Sequence, residues 1–431
     1  MADLGMIGRG MRWHDLTLEQ AKPLEYKIER AVEAIETAFV VAERPALAFS
    51  GGKDSTVLLH LIREHFPYQS LEMPIIYGNT GMEFAECIQF VRRLAREWRL
   101  DLHEARPGKT ERPGFKYAAQ RRIWEELIEN GEIKEVLKPD GRLKSTRHLE
   151  AACPHGLFGQ MAGEREWTWP TGTTKSYWWC ADQYGWPLLG KAWSRLEARR
   201  INVDTFLRFS QSKSEDAELL AYYEVLRQVK ISQHCCEVLK KEPAHRMQKA
   251  LEVDLIFKGL MAAESRARAK NFLSRGYVFE GAKQDYLSGW AFFHAQPMAI
   301  WTDEDVWEYI RRYQVPYAPL YDIEYIRQDG STGKIRRNGC IGCATDFGFR
   351  NNHLYILRQT HRRAWEVIMR AGMAREIRNL QRAMRANQLT LWDAFTPEEL
   401  LQAQPCVFDD VDGLGGREGG PELVYDAEVA E

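Results

Sequence analysis

The feature that most constrains the fold is an alternation of short apolar runs with amphipathic segments near the start of the chain. Runs with the length of buried strands lie at 45–49, 73–79 and 101–107, and segments with helical spacing lie between them at 55–66 and 84–98. Strands that alternate with helices form parallel sheets through right-handed crossovers. The sequence therefore predicts an α/β chain with a doubly wound parallel sheet.

Outside this block the same patterns recur at wider intervals. Helical spacing is found at 18–41, 303–313 and 361–386, and strand-like runs at 253–262 and 292–301. Thr302 or Asp303 is placed to act as the N-cap of the helix at 303–313. Between 108 and 230 the pattern loosens while Trp, Arg and Lys become frequent, so we interpret this region as an insertion or lid.

Composition and charge narrow the class of protein. With 45% apolar and 28% charged residues the chain is typical of soluble globular proteins. No apolar run approaches the roughly 20 residues of a membrane span, and the N-terminus lacks the apolar core of a signal peptide. We therefore expect a cytoplasmic protein without membrane contact. The acidic, Gly-rich tail at 409–431 is expected to be disordered, and the mildly basic remainder permits a polyanionic partner.

A short loop, SGGKDS, lies between the first predicted strand and its helix. At such a junction backbone N–H groups and the helix N-terminus favour an anion. The spacing is neither that of a Gly-x-x-x-x-Gly-Lys-Ser/Thr P-loop nor that of Gly-x-Gly-x-x-Gly. An ordinary strand-to-helix turn is the less favoured alternative, which stays open because glycine and serine are common turn residues.

Each residue type in this loop suits a phosphate. Glycines let the backbone approach closely and take positive φ, the lysine supplies a point charge, and the serines supply hydroxyl donors. The aspartate in the first helical turn is placed to help hold a cation or to orient the loop. The candidate residues are Ser50, Gly51, Gly52, Lys53, Asp54 and Ser55.

Two pairs of cysteines indicate a metal or cluster site. Cys235 and Cys236 are adjacent, and about a hundred residues later Cys340 and Cys343 form a Cys-x-x-Cys pair. Four thiolates suit either a cubane iron–sulfur cluster or a tetrahedral zinc ion. The remaining cysteines, of which the first is predicted to be in the core and the others have no assigned role, are Cys87, Cys153, Cys180 and Cys406.

These motifs resemble those of the PAPS reductase-like family of the ATP-pyrophosphatase (PP-loop) superfamily. SGGKDS resembles the pyrophosphate-binding PP-loop, GNTGMEF at 78–84 resembles the second nucleotide segment, and the two cysteine pairs together resemble the [4Fe–4S] ligand set of the APS reductases. The stretch at 297–322 resembles a further family segment, in which we interpret Trp301, Val306, Trp307 and Ile310 as helix-to-sheet packing. The resemblance covers about 18–106 and 231–369.

The resemblance implies an adenine nucleotide α-hydrolase-like fold with ATP, Mg²⁺ and a [4Fe–4S] cluster, the cluster being favoured over zinc. The implied nucleotide contacts are Ser50, Gly51, Gly52, Lys53, Asp54, Ser55, Asn79, Thr80, Gly81, Glu83 and Arg266, the last ahead of Arg268, with Lys53 and Asp54 also catalytic. The implied cluster ligands are Cys235, Cys236, Cys340 and Cys343.

The same comparison divides the chain into five regions. They are the first part of the nucleotide-binding domain at 1–107, the insertion at 108–230, the second part of the domain with the cluster cysteines at 231–350, a helical extension at 351–408 and the acidic tail at 409–431.

The chain departs from the sulfonucleotide reductases in one respect. Those enzymes carry a nucleophilic cysteine in a Glu-Cys-Gly-Leu-His motif near the C-terminus, which this sequence lacks unless Cys406 substitutes. Its loop keeps the lysine and aspartate of the ATP-cleaving members. The resemblance therefore favours an ATP pyrophosphatase that adenylylates a substrate oxygen for sulfur transfer.

Two other functions stay open, an APS or PAPS reductase that uses thioredoxin and a non-catalytic ATP-binding sensor. A sulfur-transfer enzyme implies a donor such as a cysteine desulfurase. Nucleic acid is one acceptor that would suit the basic, Trp-rich insertion and the helix at 361–386, although a solvated helix with buried aromatics explains them equally well. Lys334, Arg336 and Arg337 are placed to neutralise a cluster or to meet an anionic substrate. A homodimer is compatible with the sequence, which does not determine the oligomeric state.

Overall fold

The computed structural model describes residues 11–111, 114–115, 168–188, 229–281, 292–347 and 351–386. The predictions for Cys153, Cys406 and the tail at 409–431 lie outside these ranges, as do most of those for the insertion at 108–230 and the end of the helical extension.

The described chain alternates helices and strands. The helices are α1 (Trp13–Gln20), α2 (Leu24–Val41), α3 (Lys53–His65), α4 (Pro67–Glu72), α5 (Ala85–Glu97), α6 (Tyr177–Gln183), α7 (Glu242–Ala250), α8 (Arg266–Arg275), α9 (Asp303–Tyr313), α10 (His353–Thr360), α11 (Arg362–Ile368) and α12 (Ala374–Ala386). The strands are β1 (Pro45–Phe49), β2 (Ile75–Gly78), β3 (Leu102–Ala105), β4 (Gly114–Phe115), β5 (Thr168–Trp169), β6 (Leu255–Lys258), β7 (Val278–Glu280), β8 (Phe293–Ala295), β9 (Glu324–Ile326) and β10 (Thr332–Lys334).

These elements group into two compact units. The first takes its described residues from Met1–Arg106, Lys240–Ile323 and Lys334–Gly339, and the second from Pro107–Leu239, Glu324–Gly333 and Cys340–Glu431. The first unit holds the large sheet and the glycine loop. The second holds both candidate cysteine pairs.

The first unit is built on a sheet with the strand order β3-β2-β1-β6-β8-β7. Leu47 of β1 pairs with Ile75 of β2 on one side and with Phe257 of β6 on the other, both in parallel. The predicted parallel α/β sheet is therefore confirmed. Strand β7 differs, because it follows α8 directly and pairs antiparallel with β8 at the edge. Strand β7 has only three residues, which is too short for an apolar pattern to be recognised in the sequence.

Helices cover both faces of this sheet. On one face Phe39 of α2 packs against Phe257, with ring centroids 5.3 Å apart. On the other face Ala46 and Ile256 form a buried cluster against which Met247 of α7 packs. Because neighbouring residues of a strand point to opposite faces, a continuous apolar run such as PALAF is what a sheet covered on both sides requires.

Two predicted helices are interrupted. The helix predicted at 18–41 is divided into α1 and α2 at Pro23, which lacks a backbone N–H and disfavours helical geometry at Lys22. The helix predicted at 361–386 is divided by a π-helical turn, Met369–Met373, in which Gly372 has φ +132°. A side chain at Gly372 would meet the Trp186 ring at 3.1 Å. The close packing of that indole explains the break.

The second unit is described only in part. It contains the short antiparallel pair β4–β5, most of the pair β9–β10, and α10 to α12, where Trp365 and Leu380 are fully buried. None of the described helices has both the length and the apolar character needed to cross a membrane.

Candidate functional site

The glycine loop follows β1 at the point where the sheet changes direction. After β1 the chain adds β2 and β3 on one side, and later β6 and β8 on the other. Ligands of open α/β sheets bind at such a switch, outside the carboxyl ends of the strands. Gly259, just after β6, lies so close that a side chain there would meet the Asp54–Ser55 peptide at 3.0 Å. The two strand ends on either side of the switch therefore contact each other directly.

The two loop glycines are closely packed, and Gly51 also needs a conformation that favours glycine. Gly51 has φ +68°, and a Cβ there would lie 2.4 Å from Cγ2 of Val91 on α5. A Cβ on Gly52 would lie 2.8 Å from Oδ1 of Asn338. The helix α3 begins at Lys53 without a side-chain cap. The loop thus presents backbone rather than side chains at a helix N-terminus, which is the arrangement that favours an anion.

The loop hydroxyls are held close together. Ser50 Oγ lies 3.2 Å from Ser55 Oγ and accepts a hydrogen bond from the Gly52 N–H at 3.2 Å. Ser55 Oγ donates to the Gly52 carbonyl at 3.0 Å. The hydroxyls of Ser50 and Ser55 therefore share one small region, so both can turn toward the same ligand.

Two residues from later in the chain support the loop. The Lys53 N–H donates to the Tyr321 hydroxyl at 3.1 Å, and Asn338 Nδ2 donates to the Ser50 carbonyl at 2.8 Å. Burial raises the pKa of Tyr321 far above its usual value, which keeps its hydroxyl neutral. Sequence analysis missed both residues, because their contacts span more than 250 positions.

Lys53 carries the charge at the start of α3. Its side chain is 4% exposed, and its Nζ lies 2.6 Å from Asp54 Oδ1 and 2.7 Å from Asp303 Oδ1. Asp303 was also missed, since the stretch around it was interpreted as packing. That interpretation holds for the buried Trp301, Val306 and Ile310, but the same helix contributes a carboxylate to the loop.

The segment predicted to contact nucleotide lies at the end of β2. The Thr80 N–H and hydroxyl donate to the Glu83 carboxylate, at 3.0 and 2.7 Å to Oε1. Asn79 donates to Glu104 at the end of β3 and accepts from the Gly81 N–H at 2.9 Å. Gly81 has φ +76° with open space around its Cα. These residues form a tight turn at the carboxyl edge of the sheet.

Of the two candidate arginines, Arg268 is influenced electrostatically by Asp54 of the loop. Burial and the neighbouring Arg337 lower its pKa, whereas Asp54 raises it, so Arg268 lies within electrostatic range of both. It also forms an ion pair with Glu264, one turn earlier. Arg266 is an exposed residue at the first position of α8.

The four candidate cysteines are close to one another in the second unit. Cys235 is buried, Cys236 is exposed, and Cys340 and Cys343 are half-buried. Burial raises the pKa of Tyr177, and the thiols of Cys235, Cys343, Cys340 and Cys180 raise it further. The Cys236 thiol raises the pKa of Cys235, and burial raises the pKa of Cys343, to which Cys236 adds. Cys235, Cys340, Cys343 and Cys180 are therefore within electrostatic range of one buried phenol, and Cys236 is within range of Cys235 and Cys343.

The backbone between the second pair is also constrained. The Tyr177 hydroxyl donates to the Gly342 carbonyl at 2.6 Å, and a Cβ on Gly342 would lie 2.5 Å from Tyr177 Cζ. The Cys343 N–H donates to the Cys340 carbonyl at 3.0 Å, which closes the Cys-x-x-Cys turn. Glycine is thus needed inside this turn. Cys180 on α6 and the predicted core residue Cys87 on α5 are both fully buried.

The four candidate thiols can be compared with the ligand sets of a zinc ion and of a cubane iron–sulfur cluster. Among the residues that the structure describes, no three His, Cys, Asp or Glu side chains are grouped tightly enough to hold a single metal ion. A cubane cluster places each of its four thiolates on a different iron, and so holds them farther apart than ligands of one ion. Four thiolates are the donor set that such a cluster takes.

Comparison with known proteins shows which family the chain matches. The chain matches the sequence model of the phosphoadenosine phosphosulfate reductase domain over residues 44–156 and 193–345, more than half of its length. A 62-residue segment is 45% identical to sulfate adenylyltransferase subunit 2 of Rhizobium tropici, covering 14% of this chain and 20% of that protein. An 85-residue segment is 36% identical to the same subunit of Pseudoalteromonas translucida, covering 20% and 26%. The chain thus spans about a quarter or less of the curated relatives it matches.

Solved structures show weaker similarity. Phosphoadenylyl-sulfate reductase from Candida auris, in a phosphate complex, is 15% identical with a TM-score of 0.32, covering 72% of this chain and 90% of that one. FMN adenylyltransferase from Candida glabrata, with FMN and an ATP analogue, is 11% identical with a TM-score of 0.33, covering 76% and 72%.

Proposed function

Because the chain belongs to the phosphoadenosine phosphosulfate reductase domain family, we propose that it binds ATP on the glycine loop and transfers the adenylyl group to an acceptor oxygen. The observation that carries this proposal is the position of Lys53. Its ammonium is buried at the start of α3, beside two glycines whose backbone faces the switch point of the sheet. The matched segments of the relatives belong to subunits named for adenylyl transfer to sulfate.

In the proposed reaction an acceptor oxygen attacks the α-phosphorus of ATP. The new oxygen–phosphorus bond forms as the bond to the bridging oxygen of pyrophosphate breaks, so negative charge moves to the leaving group. Lys53 stabilises that charge, and Arg268, which interacts electrostatically with Asp54, assists. Mg²⁺, bound with the nucleotide, would neutralise part of the phosphate charge, and Asp54 is the loop carboxylate placed to help hold it.

The adenylylated acceptor is then the substrate for sulfur transfer. Sulfide, released by a thiol reductant from the persulfide of a partner such as a cysteine desulfurase, forms a bond to the acceptor atom as the bond from that atom to the adenylylated oxygen breaks, and AMP leaves with that oxygen. We include nucleic acid among the candidate acceptors, because 362–386 carries several arginines beside the buried Trp365.

We propose that Cys235, Cys236, Cys340 and Cys343 hold a [4Fe–4S] cluster. The support is the neighbourhood of Cys235, Cys340 and Cys343 around Tyr177, the interaction of Cys236 with Cys235 and Cys343, and Gly342, which allows the second pair to turn. When bound, such a cluster supplies either electron-transfer or electrostatic chemistry. The residues of this chain position the thiols and bury Cys235.

The reaction is tested by its products. Anaerobically purified protein is incubated in separate reactions with APS, with PAPS and with Mg-ATP plus a candidate acceptor, sulfate or nucleic acid, and pyrophosphate, AMP and sulfite are quantified. We expect pyrophosphate from ATP and no sulfite from either sulfonucleotide. Sulfite release would support a reductase instead, and nucleotide binding without any product would support a sensor.

The cluster is tested by metal analysis of the same preparation. We expect about four irons and four sulfides per chain. Cys236→Ala should lower the iron content, whereas Cys87→Ala, a buried cysteine of the first unit, should leave it unchanged. Stoichiometric zinc in the parent protein, or full iron content in the Cys236 variant, would overturn this ligand set.

A further inference from the structure

Lys53 has two carboxylate partners that come from different parts of the chain. Asp54 follows it in the first turn of α3, and Asp303 is the first residue of α9. Their Oδ1 atoms lie 2.6 and 2.7 Å from the same Nζ. An ammonium has three hydrogens to donate, so these two ion pairs occupy most of its capacity.

The position of Asp303 is fixed by the packing behind it. Thr302 caps α9 in a capping box with Asp305, whose Oδ2 accepts from the Thr302 N–H at 2.7 Å. The same carboxylate forms an ion pair with Lys27 of α2, and the Lys27 side chain is 2% exposed. Because this first turn is held on its buried side, Asp303 is presented to Lys53 from a fixed element.

The two partners differ in exposure. The Asp303 side chain is 44% exposed, whereas that of Asp54 is 23% exposed. Water solvates a carboxylate that is nearly half exposed. Breaking its ion pair therefore costs less free energy than breaking the ion pair of a more buried carboxylate. Asp303 is therefore the partner that Lys53 can release at the lower cost.

We propose that Asp303 is a positioning residue that holds the Lys53 ammonium in the nucleotide-free loop and gives it up to the phosphates of ATP. This inference rests on the proposed function, because it assumes that the loop binds ATP. Because Asp303 competes with the ATP phosphates for the Lys53 ammonium, it weakens the binding of ATP. In the absence of nucleotide it keeps the ammonium in place at the loop.

Removal of the Asp303 charge is expected to strengthen nucleotide binding. Asp303→Asn should bind a non-hydrolysable ATP analogue with magnesium about three- to tenfold more tightly, since the competing ion pair is gone. Glu304→Gln removes the same charge one residue later, from an exposed side chain, and should change the dissociation constant by less than about twofold. Calorimetric titration gives both values without turnover. A merely structural role for Asp303 would not tighten binding.

A double-mutant cycle with Lys53→Met separates competition from a general field effect. With the ammonium removed, Asp303→Asn should no longer tighten binding. Tightening that persists in the Lys53→Met background would overturn the inference, as would unchanged or weaker binding by Asp303→Asn alone. Asp303→Ser, which keeps a small polar residue at the helix start, provides the same readout if the asparagine variant folds poorly. A Lys53→Met variant that binds the analogue as well as the parent would instead remove the loop from the nucleotide site, and the proposed function with it.

Discussion

The first turn of α9 contributes carboxylates to two lysines, and the two pairs have different surroundings. Asp305 meets Lys27, and both side chains are almost excluded from water, at 12% and 2% exposure. Asp303, two residues earlier, meets Lys53 with half of its own side chain in water. The ammonium is buried in both pairs, so the difference lies in the carboxylate.

This difference separates an ion pair that holds the fold from one that can exchange partners. Lys27 of α2 is buried against the first turn of α9, and the Trp301 indole N–H donates to its backbone carbonyl at 3.2 Å. Lys53 lies at the start of α3, directly after the glycine loop. Substitutions at the two lysines should therefore damage different properties of the molecule.

The largest effect is expected at Lys53. Lys53→Ala should lower the rate of pyrophosphate release from ATP by about 10²–10³-fold, because the main charge opposite the leaving group is lost. The urea midpoint of the variant should stay near that of the parent. Lys22→Ala, at an exposed lysine between α1 and α2, is the control. Full activity in Lys53→Ala would contradict the role assigned to the loop.

Lys27→Met should show the opposite pattern. Removing one partner of a buried pair leaves Asp305 uncompensated, which we expect to cost about 3–5 kcal/mol of unfolding free energy. Arg312→Met breaks the exposed pair with Glu25, which joins the same two helices, and should have little measurable effect. Urea unfolding of both variants measures the contrast. Equal losses in the two would show that burial does not distinguish these pairs.

The smallest effect concerns His60, farther along the contact between α3 and α9. Its Nδ1 lies 3.0 Å from the Tyr309 hydroxyl, and burial lowers its pKa below the usual 6.5. The unfolded chain therefore takes up this proton first as the pH falls. Stability should decline below about pH 6.5 and level off once the folded imidazole is protonated.

His60→Gln should remove this component and flatten the dependence of the urea midpoint on pH between 7.5 and 5. His65→Gln, at an exposed position of the same helix, is the matched control. A His60 variant with the same slope as the parent would show that the imidazole is not desolvated.

The sequence predicted those parts of the fold that local signals determine. The apolar run of β1 and the capped helix α9 have the predicted bounds, Pro45–Phe49 and Asp303–Tyr313, and Thr302 is the N-cap. Helix α3 begins at Lys53, two residues before the predicted start, because its first turn is made of loop residues. Pro23 and Gly372 were visible in the sequence as helix breakers but were given too little weight.

The candidate site was predicted only where its residues are contiguous. The glycine loop and the turn at the end of β2 are local motifs with recognisable composition. Asp303, Tyr321 and Asn338 reach the loop from more than 240 residues away, and no pattern in their own neighbourhoods marks those contacts. Gly342 is similar, since its requirement depends on the distant ring of Tyr177.

The long separation of these contacts has a consequence for synthesis on the ribosome. The hydrogen bond from Asn338 to the Ser50 carbonyl spans 288 positions, which take about 15–60 s to translate. During that interval the glycine loop has left the ribosome without the residues that support it. If the chain binds ATP as proposed, the nucleotide would bind only after Asn338 has been synthesised and would then stabilise the completed first unit by mass action. For a nascent chain, capture of ATP would mark the completion of the first unit.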